Sequence, residues 1–160
     1  MIKAGDAIPD VTLKQMTADG PQDVALKDYC ANRKVVLFGV PGAFTPTCSE
    51  THLPGFVDAQ KALAEKGVDA VACVSVADFF VMNAWGKSVN VGETVDMLAD
   101  GNSEFTQSAG LELDLTAHGL GKRCHRFAMV IDNGVVSSLA VEENAGEANM
   151  SSAESVLSSL

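Results

Sequence analysis

Apolar residues along the chain fall into unbroken runs separated by stretches of helical spacing. Residues 34–40 (KVVLFGV), 69–76 (DAVACVSV) and 126–132 (RFAMVID) are the three clearest runs. Each predicts a strand covered on both faces, because a half-exposed strand would alternate apolar with polar positions. Residues 10–16 (DVTLKQM) alternate weakly and predict a strand with one exposed face. Residues 18–22 (ADGPQ) follow it with turn chemistry. Asn133 and Gly134 predict a tight hairpin, with residues 135–143 as the returning strand.

Helical spacing fills the intervals. Within residues 49–66, Leu53, Phe56, Val57, Leu63 and Ala64 recur close to a 3.6 period, and Pro54 is expected to bend that helix. Residues 78–89 and 103–109 predict two further helices. Residues 151–160 predict a last one, with Ser151 and Glu154 at capping-box spacing. The order β, β, α, β, α, α, β, β, α is that of a single α/β domain over residues 1–160, with a mixed central sheet flanked by helices.

Charge narrows the partners. The net charge of −10 argues against nucleic acid and anionic membrane surfaces. Residues 1–10 lack a long apolar stretch, so a cytoplasmic location is expected, with Cys30, Cys48, Cys73 and Cys124 as thiols. There is no C-x-x-C pair, which disfavours a thioredoxin-type oxidoreductase. His52, His118 and His125 do not fall at zinc-ligand spacing, so metal binding is not expected. Phe79, Phe80 and Trp85 at near-helical spacing read as core, Met82 and Met97 as packing residues, and residues 100–104 as a solvated turn.

The chemistry concentrates at residues 40–56 (VPGAFTPTCSETHLPGF). Thr45 suits an N-cap and Pro46 the first helical position, which makes Cys48 the third helical residue. A capping box puts Glu or Gln there, and a thiolate could take the part of that carboxylate. The free N–H groups of a first turn and the positive end of the helix dipole favour a thiolate. Ionisation alone gains only about 30-fold over an ordinary thiol at neutral pH, so a catalyst needs further groups around the sulfur. Thr45 offers a hydroxyl one turn away. Arg126, which opens a buried strand, is the better candidate cation, with Arg123 the alternative.

Residues 41–56 resemble the active-site stretch of the type II peroxiredoxins, in the spacing P-x-x-x-T-x-x-C followed by Ser49, His52, Leu53, Pro54, Gly55 and Phe56. The resemblance extends over essentially the whole chain. It implies a thioredoxin-like fold and a thiol-dependent peroxidase acting on hydrogen peroxide or alkyl hydroperoxides, without metal or cofactor. It implies Cys48 as the attacking thiolate, Thr45 as a hydrogen-bond partner of the peroxide, Pro41 as a shield for the sulfur and Arg126 as its cation. His52 matches a histidine typical of the group, in a supporting or a structural part. A homodimer is implied, with residues near Phe79 and Phe80 bordering the contact.

The chain also departs from that pattern. Where animal members carry a resolving cysteine before the last helix, this sequence has Met150, and no cysteine follows Cys124. A one-cysteine cycle is therefore expected, with glutathione and glutaredoxin, or thioredoxin, as reductant. Cys73 matches a second cysteine of some relatives and is a possible resolving residue, although its place in a buried strand favours packing. Cys124 is expected to share a strand face with Arg126, and Cys30 to be incidental. The reading from a different class is a redox-sensing binding or chaperone-type protein that uses Cys48 as a peroxide sensor.

Overall fold

The computed structural model describes residues 1–160. The apolar runs form the middle of a seven-stranded sheet. Its strands are β1 (Thr12–Thr17), β2 (Gly20–Ala25), β3 (Lys34–Gly39), β4 (Ala70–Ser75), β5 (Asp96–Ala99), β8 (Phe127–Asp132) and β9 (Val135–Val141). Their spatial order is β2-β1-β5-β4-β3-β8-β9. β3, β4 and β5 run parallel, and the remaining pairings are antiparallel. Two short strands, β6 (Glu112–Asp114) and β7 (Lys122–Cys124), pair apart from this sheet.

Successive side chains of β3 point to opposite faces, which explains its continuous apolar run. Val36 and Phe38 join a core with Cys48, Phe56 and Trp85. Val35 and Leu37 join the opposite core, with Phe105, Phe127 and Met129. The helices are α1 (Leu26–Cys30), α2 (Leu53–Glu65), α3 (Phe79–Ser88), α4 (Glu104–Ser108) and α5 (Ala153–Ser159). The result is the mixed α/β, thioredoxin-like sandwich expected from the sequence.

Several local expectations are corrected. β2 was concealed because Pro21, Gln22 and Asp23 are exposed residues of an edge strand, where proline removes no ladder bond that matters. The hairpin turn is therefore only Ala18 and Asp19, since Thr17 pairs with Gly20. α1, β5, β6 and β7 are too short to carry a legible period. The cap of α5 is Ser152, whose Oγ accepts from Ser155 N–H, rather than Ser151. Within residues 100–104, Gly101 and Asn102 form an exposed turn and Glu104 is exposed, as read, but Asp100 is buried and accepts from Phe105 N–H, Thr106 N–H and the Thr106 hydroxyl. Trp85, Met82 and Met97 are core residues as read, whereas Phe80 is 64% exposed.

Candidate active site

The site begins where β3 ends. Gly39 pairs with Phe127 across β3 and β8, so Arg126 stands beside the end of β3 as the chain leaves for the sulfur. Gly39 has no alternative: a Cβ there would overlap the Phe127 ring. Pro41 is buried, and its carbonyl accepts from Arg123 Nη1 at 3.2 Å. Phe44 then takes φ of 63°, in the left-handed region, and the residue is 57% exposed. A conformation of this kind costs a non-glycine residue about 1 kcal/mol or more and persists only where its surroundings impose it.

The helix starts at Pro46, with Cys48 third, as the sequence predicts. The expected capping contacts are absent. The Thr45 hydroxyl donates to the Gly42 carbonyl at 2.7 Å, and the Thr45 N–H is directed to the same oxygen. Cys48 therefore does not play the capping-box carboxylate. Nor does Pro54 simply bend the helix. Cys48–His52 form one wide π turn in which Leu53 N–H donates to the Cys48 carbonyl, and α2 follows with Pro54 in its first turn. The wide turn makes room for a ring that would otherwise press on a carbonyl one turn back.

Arg126 joins the sulfur to His52 and, directly or through it, to two loop carbonyls. Arg126 Nη2 lies 3.0 Å from Cys48 Sγ, and Arg126 Nη1 lies 3.0 Å from His52 Nδ1. Arg126 Nε donates to the Ala145 carbonyl at 3.0 Å. Cys48, His52 and Arg126 are all buried. A guanidinium only donates, so His52 Nδ1 is the acceptor, and its Nε2–H donates to the Ser151 carbonyl at 2.8 Å. Burial, above all, pushes His52 down to about 4, so the ring is neutral. Its ring packs tilted against Phe38, with ring centres 5.0 Å apart and the planes at 57°.

Arg123 is not the sulfur's cation; it donates to Leu120 and Pro41 carbonyls. Cys124 ends β7 and directs its Sγ to the Val40 carbonyl at 3.2 Å, whereas Arg126 lies in the link to β8, so the two share no strand. Burial pushes the Cys124 thiol up to about 12, the Cys30 thiol up to about 11, and the Cys73 thiol well above its ordinary range. Cys73 belongs to the same buried core as Cys48. Met150 is exposed.

Sequence reasoning missed the loop between β9 and α5. Thr47 donates its hydroxyl to the Gly146 carbonyl at 2.8 Å. Glu142, 5% exposed, accepts at one oxygen from Asn149 N–H, Ser151 N–H and the Ser151 hydroxyl, at 2.7, 2.7 and 2.9 Å. The one available signal was a carboxylate at the end of a predicted strand, followed nine residues later by a serine. The assembled geometry can hold a thiolate against a fixed guanidinium out of bulk water, an arrangement suited to polarising a bond brought up to the sulfur.

Comparisons with known proteins point the same way. A family model described as Redoxin matches residues 3–157. The chain is similar to Peroxiredoxin-2D of Arabidopsis thaliana, 48% identical over 99% of this chain and 98% of the relative. It is also similar to the chloroplastic Peroxiredoxin-2E-2 of rice, Oryza sativa subsp. japonica, 50% identical over 99% of this chain and 72% of the relative. Among solved structures it superposes on reduced Prx3 in complex with H2O2 from Vibrio vulnificus. There the TM-score is 0.94 at 48% identity, covering 99% of each chain. It also superposes on peroxiredoxin 5 from Alvinella pompejana, with a TM-score of 0.86 at 34% identity, over 99% of this chain and 97% of the other.

Proposed function

The chain belongs to the redoxin family and is a thiol peroxidase of the peroxiredoxin type, and from that premise we propose a cycle that runs on the Cys48 sulfur alone. The observation that carries it is the 3.0 Å contact between Arg126 Nη2 and Cys48 Sγ, both of them buried. The thiolate attacks the near oxygen of a hydroperoxide. An S–O bond forms, the O–O bond breaks, and its electron pair leaves with the distal oxygen, which takes up from solvent the proton the thiol released on ionisation and departs as water or an alcohol. Cys48 is left as a sulfenic acid. Arg126 stabilises first the thiolate and then the charge spreading over the two oxygens. The Thr45 hydroxyl, already donating to Gly42, keeps lone pairs to accept a hydrogen bond from the peroxide O–H. Pro41 closes the pocket against water.

The reductant is external. A glutathione thiolate attacks the sulfenic sulfur, releasing hydroxide as water and leaving a mixed disulfide. A second thiol, from glutaredoxin or another glutathione, then takes the glutathionyl group and frees Cys48. Thioredoxin is the alternative donor. Cys73 is a poor resolving residue on this reading, because a thiol so buried resists ionisation, and the thiolate is the attacking form. The chain works as a homodimer, and the ring of Phe80, exposed beside Phe79, supports a contact there.

Peroxide consumption by the pure protein tests the cycle, with glutathione plus glutaredoxin set against the thioredoxin system. A variant carrying Cys30→Ser, Cys73→Ser and Cys124→Ser should turn over repeatedly with at least one of them. A single oxidation followed by arrest with every reductant would sink the one-cysteine scheme.

A further inference from the structure

A continuous line of hydrogen bonds leads from the sulfur to a carboxylate on the far side of His52. Cys48 Sγ is held by Arg126 Nη2, and Arg126 Nη1 is held by His52 Nδ1. His52 Nε2 is held by the Ser151 carbonyl, and Ser151 is held through both its N–H and its hydroxyl by Glu142. Every residue of the line is buried. We infer that Glu142 is a positioning residue for the peroxidase reaction, fixing Ser151 and, through His52, the guanidinium that contacts Cys48.

A serine or leucine could fill the end of β9 if the position only had to pack. A buried carboxylate is costly unless its oxygens are satisfied by donors. Here one oxygen collects three donors, and two belong to Ser151, the residue whose carbonyl His52 reads. That carbonyl decides which ring nitrogen carries the proton. With the proton on Nε2, the lone pair of Nδ1 faces Arg126 and takes one arm of the guanidinium. The other arm is thereby turned to the sulfur. Ala145, which takes Nε, lies in the same loop, so Glu142 also closes the segment that supplies this second tether. Arginine has several rotatable bonds, and three fixed acceptors remove most of that freedom.

The inference rests on the peroxidase reading, and two measurements separate its failure from the failure of that reading. The first is a double-mutant cycle on the second-order rate of Cys48 oxidation by hydrogen peroxide, followed by stopped flow. Glu142→Ala is expected to slow oxidation about tenfold, the scale of one hydrogen bond to a charged group. In a His52→Leu background the same change is expected to cost nothing further, because the link is already cut. Glu142→Gln, which keeps an acceptor but not the charge, is expected to lose about threefold under the same rule. It carries the cycle should Glu142→Ala fail to fold. An equal cost in both backgrounds overturns the inference, as does no cost for Glu142→Gln.

The second is the pH dependence of Cys48 alkylation. Arg126 and His52 face the sulfur by hydrogen bonds, and the Cys73 and Cys124 thiols face it across the core, both held neutral by burial. Removing a nearby negative charge would by itself ease thiolate formation and move the profile to lower pH. Losing the seat of Arg126 moves it to higher pH. An upward move in Glu142→Gln is expected; a downward move or none overturns the inference. If Cys48→Ser still consumes peroxide, the peroxidase reading fails instead.

Discussion

The hydroxyl of Thr47 donates to the carbonyl of Gly146 at 2.8 Å, tying the residue before the reactive sulfur to a loop near the other end of the chain. The same loop supplies the Ala145 carbonyl to Arg126 and the Ser151 carbonyl to His52. The sulfur is thus held from the N-terminal side by its own turn and from the C-terminal side by residues 142–151. Thr47→Val removes the tie while nearly keeping the volume. It should lower unfolding stability by about 1 kcal/mol, read as a shift in urea midpoint at unchanged slope.

Arg126→Lys should be far from conservative. An ammonium at the end of a straight stem cannot meet a sulfur, an imidazole nitrogen and a carbonyl at the three places where the fork meets them. The rate of peroxide attack should fall by about 100-fold, the scale of losing one fixed donor to developing charge. Single-turnover oxidation monitored by Trp85 fluorescence measures it, since the indole N–H donates to Ser49, the residue next to the sulfur.

The neutral, buried His52 makes stability pH-dependent. Its value is pushed down to about 4 from the ordinary 6.5. Between those values the unfolded chain binds more protons than the folded one, so unfolding free energy rises with pH. The contribution is complete above about pH 6.5 and is lost as pH falls toward 4. Across that window it amounts to about 3 kcal/mol. Urea unfolding at several pH values should show the loss in the wild type and a flatter profile in His52→Leu.

The other three thiols should be silent. Cys30, Cys73 and Cys124 are buried, and burial holds each thiol well above its ordinary range. Alkylation of the folded protein at pH 7.5, followed by intact mass, should therefore add one group, at Cys48. The remaining three should react only in denaturant.

The exposed ring of Phe80 should matter to association. Phe80→Asp places a charge beside Phe79 and should shift a homodimer toward monomer, read by sedimentation velocity. Equal sedimentation of both proteins would place the contact elsewhere.

The sequence by itself determined the interior strands β3, β4 and β8, the helix that starts at Pro46, and Cys48 on its third residue. These are local matters: apolar runs, a proline's fixed φ and a residue count along one turn. It also favoured Arg126 over Arg123, first as the residue that opens a buried strand and then through the motif's likeness to a family. What the tertiary structure decided is everything that joins distant segments. The register of Gly39 against Phe127 set Arg126 beside the end of β3. The return of the chain from Glu142 to Ser151 gave His52 its proton acceptor and turned an apparent helix cap into part of the active site. Hydrogen bonds between residues 74 to 99 positions apart leave no period to read. They exist only once the sheet has brought its two ends together.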